Sequence, residues 1–183
     1  MRADAKRNRD KLIEVAQQVF KEQGMDAPLD EIARRAGVGP GTLYRHFPSR
    51  ENLHDAVMQA WVERVHEYAD KALAHEGGPR EQLLAWFEEY VELLNRHKGA
   101  AARITASIGD ESSPIKSKCQ VYKEATDKVL DGVRGEGAPM RASVDGVQVC
   151  RLVGGVAAMA DQAQLDDEAV RPLLEVVVDG LLD

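Results

Sequence analysis

The stretch Pro28–Arg50, PLDEIARRAGVGPGTLYRHFPSR, constrains this chain more than any other segment. Leu29, Ile32, Ala33 and Ala36 make one apolar face of a short helix. Gly37 follows directly and can take the left-handed conformation that ends a helix. Gly39-Pro40 then opens a further short helix, with proline at a first-turn position where its missing N–H does no harm. Phe47-Pro48-Ser49 breaks that helix, and Ser49 is a good N-cap for the one after it. Two short helices on a tight glycine turn need a surface to pack on. Leu12, Ile13, Ala16, Val19 and Phe20 supply it as the stripe of a preceding amphipathic helix, stopped by Gly24.

Helical patterning continues almost to the end. A long fourth helix is expected from the Ser49 cap to about residue 75, then a Gly77-Gly78-Pro79 linker. Further helices are expected at about 79–97, 100–108, 114–134, 142–162 and 166–182. The seventh has Ser113 as cap and Pro114 as first residue, and Gly135-Glu136-Gly137-Ala138-Pro139 is the most flexible-looking segment. No segment alternates with period two, and no internal repeat is visible. The expected fold is therefore all-α with about nine helices. An N-terminal helix-turn-helix domain over 9–68, its motif at about 28–47, precedes a larger helical domain over 69–183.

Composition removes several function classes. The 183 residues are 44% hydrophobic and 30% charged, as in a soluble globular protein. No apolar run approaches the roughly 18–20 residues of a membrane span, so no membrane partner is expected. MRADAKRNRDK is basic but lacks the apolar segment of a secretory signal. Cys119 and Cys150 make no disulfide framework, so a reduced, cytoplasmic setting is expected. The histidines at 46, 54, 66, 75 and 97 show no H-E-x-x-H spacing, and there is no G-x-S-x-G, P-loop or metal-spaced cysteine pair. No catalysis, metal or cofactor is expected.

The helix after the glycine turn carries Thr42, Tyr44, Arg45 and His46. This is the build of a unit that lays one helix in the major groove of DNA. Leu43 and Phe47 fall on one face and should pack on Phe20, Ile32 and Ala36. Thr42, Arg45 and His46 point elsewhere and can reach base edges, arginine being the commonest bidentate reader of guanine. A plain three-helix core with Tyr44 and Phe47 as buried anchors fits the same pattern. The charge distribution favours DNA: residues 1–50 hold 10 Lys+Arg against 7 Asp+Glu, and the remainder 14 against 24, so +3 faces −10 within a net −7. A charge of +3 attracts phosphate weakly, and two copies acting together would be more effective.

LDEIARRAGVGPGTLYRHFPSRENL resembles the N-terminal domain of the tetracycline-repressor (TetR) family of bacterial transcriptional regulators. That family has a short helix ending in A-G-V, a recognition helix ending in T-L-Y-x-H-F, and a Ser-Lys/Arg cap. The resemblance is specific over about residues 9–60 and continues beyond as architecture. It implies that Tyr44 meets a backbone phosphate, although a half-buried ring is the alternative, and that Arg50 contacts phosphate at the start of the fourth helix. Arg34 and Arg35 are either phosphate contacts or a solvated helix face. Two departures matter. Pro28 replaces a capping Thr or Ser, and Gly39-Pro40-Gly41 replaces Ser-Arg/Lys-Gly. The contact burden therefore shifts to Thr42, Tyr44, Arg45, His46 and Arg50, with Arg34 and the backbone at Gly41. The arm Lys6-Arg7-Arg9-Lys11 either reaches DNA or is an unstructured solubilising tail.

The resemblance also implies a homodimer on a palindromic operator in double-stranded DNA. Its seam would be the helices at about 142–162 and 166–182. Val144, Val147, Leu152, Val153, Val156, Ala157 and Ala160 line the first, around Gly154-Gly155, whose small size would permit close helix approach. Val170, Leu173, Leu174, Val177, Gly180 and Leu181 line the second. Packing inside one subunit is the alternative. Between the fourth and eighth helices the resemblance implies a pocket for a small apolar or amphipathic ligand. Trp61, Trp86, Tyr90, Arg103, Tyr122 and Met159 are the residues singled out for it, with His66, Gln120 and Gln162 as further polar groups; ordinary core packing is the alternative. The expected function is a ligand-released repressor. A helical protein-interaction module, or a regulator without an effector, is the other reading.

Overall fold

The computed structural model describes residues 2–96, 98–141 and 144–182, and among these it has nine α-helices and no strand. They are α1 (Arg2–Gln23), α2 (Leu29–Ala36), α3 (Pro40–His46), α4 (Arg50–Leu73), α5 (Pro79–Asn95), α6 (Ala100–Ser107), α7 (Lys116–Gly135), α8 (Gly146–Ala163) and α9 (Asp167–Leu181). The chain divides into two compact units, Met1–Arg64 and Val65–Asp183, and the division falls within α4.

In the first unit the expected apolar stripes close on one another. Leu12, Ala16, Val19, Ile32, Ala36, Leu43 and Leu53 have no exposed surface and form one cluster with Phe20 and Phe47. Gly37 ends α2 at φ +68, the left-handed conformation that glycine adopts without steric penalty. Ser49 Oγ accepts from the Asn52 amide at 3.3 Å and so caps α4. One expectation is corrected: the basic arm is not an unstructured tail, because α1 begins at Arg2. The arm holds good helix formers with no breaker before Gly24, and Asp4 in the first turn pairs with Arg7 at i+3.

In the second unit α5 is buried on most sides by α6, α7, α8 and α9. Trp86, Phe87, Tyr90 and Leu94 leave almost no surface exposed. Two helix starts differ from the expectation. α7 begins at Lys116 with Ile115 as N-cap, not at Pro114. Asp110 Oδ1 accepts from the Ser112 amide at 2.9 Å and Ser113 Oγ from the Ile115 amide at 3.3 Å, so these short side chains hold the segment in turns instead. α8 begins at Gly146, because Asp145 and Gln148 form a reciprocal capping box at 2.9 and 3.0 Å. Positions 142 and 143, expected to open this helix, lie outside the described residues.

The apolar residues of α8 form two faces rather than one. Val149, Val153, Gly154, Ala157 and Ala160 are buried within the unit, whereas Leu152, Gly155 and Met159 are exposed. Gly154 is the reason α8 approaches α6 closely: a Cβ there would lie 2.2 Å from Thr105 Oγ1. Gly155 has open space around it. The glycine pair is thus split between the two faces. α9 divides similarly, with Val170, Leu174, Val178 and Leu181 buried and Leu173, Val176 and Gly180 exposed.

Candidate nucleic-acid interface

α3 is seven residues long and held by its buried side, so its other side is presented rigidly. Leu43 and Phe47 are buried, Tyr44 is 47% exposed, and Arg45 is exposed beside it. Thr42 and His46 are half-buried flanking positions. Arg45 Nη2 donates to Thr42 Oγ1 at 2.9 Å. That bond holds the guanidinium along the helix surface and leaves it further N–H donors. Gly41 is exposed, and nothing lies within 4 Å of where its Cβ would stand, so another backbone can approach it closely.

The remaining arginines have internal partners. Arg50 Nη1 donates to the carbonyls of Met25 at 3.0 Å and Ala27 at 2.7 Å. His54 Nε2, necessarily the protonated nitrogen facing a carbonyl, donates to Met25 O at 3.0 Å. The start of α4 therefore fixes the loop between α1 and α2, and Arg50 has a structural task that its position in the sequence did not show. Arg34 makes a two-pronged pair with Glu31, Nε to Oε2 at 2.9 Å and Nη2 to Oε1 at 2.8 Å. Arg35 bridges Glu31 at 2.8 Å and Glu22 at 2.6 Å. These bonds, Arg34's first and Arg35's next, lower the Glu31 carboxyl to a pKa of about 2. Sequence reasoning passed over Glu31, although its i+3 and i+4 spacing to the two arginines was visible. In the arm, the Arg9 guanidinium lies 5.5 Å from the centroid of the Phe47 ring.

The residues singled out for a ligand do not converge. Trp86, Tyr90 and Tyr122 do meet, as edge-to-face rings with centroids 5.8 and 5.1 Å apart, and Trp86 Nε1 donates to Thr126 Oγ1 at 3.1 Å. Burial, then the neighbouring Cys150, pushes the Tyr90 hydroxyl well above its ordinary pKa. What the structure gives these three is core packing. Arg103, Gln120, Met159 and Gln162 are exposed, and Trp61 belongs to the other unit. A groove of about 550 Å³ does exist in the second unit, against α4, α5 and α9, and none of the six expected residues lines it.

The family described as bacterial regulatory proteins, tetR family, matches residues 12–57, and the one described as transcriptional regulator SbtR-like, C-terminal domain, matches residues 78–183. This chain belongs to the TetR family of bacterial transcriptional regulators. That family consists of DNA-binding regulators and not enzymes. Two solved TetR regulators are each 32% identical to this chain. One, from Streptomyces coelicolor, covers 95% of this chain and 98% of its own with a TM-score of 0.64. The other, from Mycobacterium vanbaalenii, covers 100% and 99% with a TM-score of 0.65. An HTH-type transcriptional regulator of Staphylococcus aureus strain USA300 is 43% identical over 60 residues, 32% of either chain. This TetR chain thus spans about a third of the length of the curated relatives it matches. No helix among the described residues is long and apolar enough to cross a membrane.

Proposed function

We propose that this TetR-family chain is a dimeric repressor that binds a palindromic operator through α3 and leaves it when a small molecule binds. The observation that carries the reading is the division of α3, with Leu43 and Phe47 locked in the core and Tyr44 and Arg45 exposed. Residues 9–68 would engage DNA and residues 69–183 would pair the subunits and take the effector. Arg45 and Thr42 read base edges, Tyr44 and the Gly41 backbone meet phosphates, and His46 flanks them. Arg34 can turn from Glu31 to phosphate, while Arg50 acts chiefly by fixing the loop before α2.

Dimerisation is supported by the outward apolar face of α8 and α9, where Leu152 is 54% and Val176 72% exposed. Large apolar side chains left exposed on both of these helices are what an interaction surface would present. Two-fold pairing would set the two recognition helices roughly 34–36 Å apart, one turn of DNA. An effector that binds better to a differently spaced dimer would shift the population off the operator. Such a regulator acts in the cytoplasm. The test is fluorescence anisotropy with DNA flanking its own gene across a salt series. Affinity should fall steeply with salt, and Arg45→Ala combined with Tyr44→Phe should weaken it about tenfold or more. Binding that is absent, or indifferent to salt, would sink the reading.

A further inference from the structure

The groove of about 550 Å³ in residues 65–183 has α5 as floor and the end of α4 and start of α9 as walls. Ala72, Ala85, Val91, Val170 and Leu174 give it apolar surface, and its volume is that of a small-molecule site. Five carboxylates face it, Glu88, Glu89, Glu92, Asp167 and Glu168, against Lys71 and Arg171, with His75 beside them. Most of these charges are answered within the protein. Arg171 Nη1 lies 2.5 Å from Glu88 Oε1, and Arg96 Nη2 lies 3.1 Å from Glu92 Oε1. Asp167 and Glu168 stand in the first turn of α9, where the helix dipole favours them. Lys71 Nζ sits 5.3 Å from the centroid of the Tyr68 ring.

Glu89 is the exception. Its Oε2 is shut off from solvent and has no hydrogen-bond partner among the described residues. Burial, and then the charge of Glu92, push this carboxyl above its ordinary range. A desolvated carboxylate oxygen without a donor is costly, and a charged N–H donor is the group that relieves it. Glu89 itself lines the groove, so its carboxylate is within reach of a donor that enters it.

We propose that this groove binds an amphipathic organic cation, with a primary ammonium head donating to the Glu89 carboxylate and a hydrocarbon or aromatic body over Ala85 and Leu174. An anion would meet five carboxylates against only Lys71 and Arg171, and a neutral ligand would leave Glu89 without a charged donor. As the effector of a repressor this ligand class rests on the proposed function; as a binding site it does not. Calorimetric titration of the full chain without DNA tests it, using 4-phenylbutylamine, 4-phenylbutanol and 4-phenylbutyrate as three probes of similar shape. The amine should bind at least about tenfold tighter than the alcohol, and the carboxylate not at all. Glu89→Gln, which keeps the volume, should reduce the amine to the level of the alcohol, and Ala85→Phe, which fills the floor, should abolish both. Absence of amine binding at millimolar concentration overturns the proposal. So does equal affinity for amine and carboxylate, or amine binding that the folded Glu89→Gln variant retains in full. With no DNA present, a failure here leaves the operator reading standing, and loss of that reading leaves the site standing.

Discussion

Gly154 and Gly155 are identical residues side by side in one helix, and their neighbours give them opposite tasks. A Cβ on Gly154 would press into Thr105, at 2.2 Å from Oγ1 and 3.2 Å from both carbons of the branch. A Cβ on Gly155 would meet nothing within 4 Å. Gly154→Val should therefore force α8 from α6 and destabilise the second unit by about 1–3 kcal/mol, measured as a shift of the urea midpoint. A midpoint that stays in place would show that Thr105 can turn aside. Arg50 shows the same dependence on surroundings. Its position at the start of α4 suits a phosphate contact, but the nearest acceptors in the folded chain are the Met25 and Ala27 carbonyls.

At the scale of the element, α2 is tied together by one carboxylate. Glu31 receives Arg34 and Arg35, and Arg35 reaches back to Glu22 at the end of α1. The pairs are exposed, so each alone is worth little in salt. Their signature lies in pH. The folded-state pKa of Glu31 is about 2 against 4.5 for the free group, so its contribution is complete above 4.5 and disappears as pH falls toward 2. Glu31→Gln should lower the melting temperature at pH 6, and the difference from the parent should close between pH 4.5 and 2. A gap that persists unchanged at pH 2 would mean that the glutamate acts through packing instead. α3 offers the complementary case. Its register was plain from Leu43 and Phe47 four residues apart, because a helix this short must bury those two to be held at all.

The whole molecule is asymmetric in charge and in apolar exposure, and both asymmetries point to pairing. The first 50 residues carry +3, too little for one copy to hold DNA firmly at physiological salt. The outward sides of α8 and α9 expose Leu152, Leu173 and Val176. A charge placed there, Val176→Glu with Leu152→Glu, should convert the chain from dimer to monomer mass in light scattering. It should also roughly halve the slope of log affinity against log salt, since one subunit contacts half as many phosphates. A doubly substituted chain that remains dimeric would move the interface to another face.

The nine helices among the described residues were legible in their order because apolar stripes at helical spacing are set apart by glycines, prolines and short polar residues near their ends. The exposed face of α3 was legible too, since burying Leu43 and Phe47 dictates what remains outside. Periodicity states how many apolar faces a helix has but not which neighbour covers each. Gly154 therefore could not be told from Gly155, nor the inward stripe of α8 from the outward one. The family resemblance likewise grouped Trp86, Tyr90 and Tyr122 without distinguishing a pocket from a packed core. The groove drew its lining from positions between Tyr68 and Leu174, on three helices that no local pattern connects. The sequence by itself determined the helices, the family resemblance and the exposed face of α3. Only the tertiary structure decided the partners of Arg34, Arg50 and Glu31, the split of the glycine pair and the unpartnered oxygen of Glu89, because each depends on atoms brought close by packing rather than by the chain.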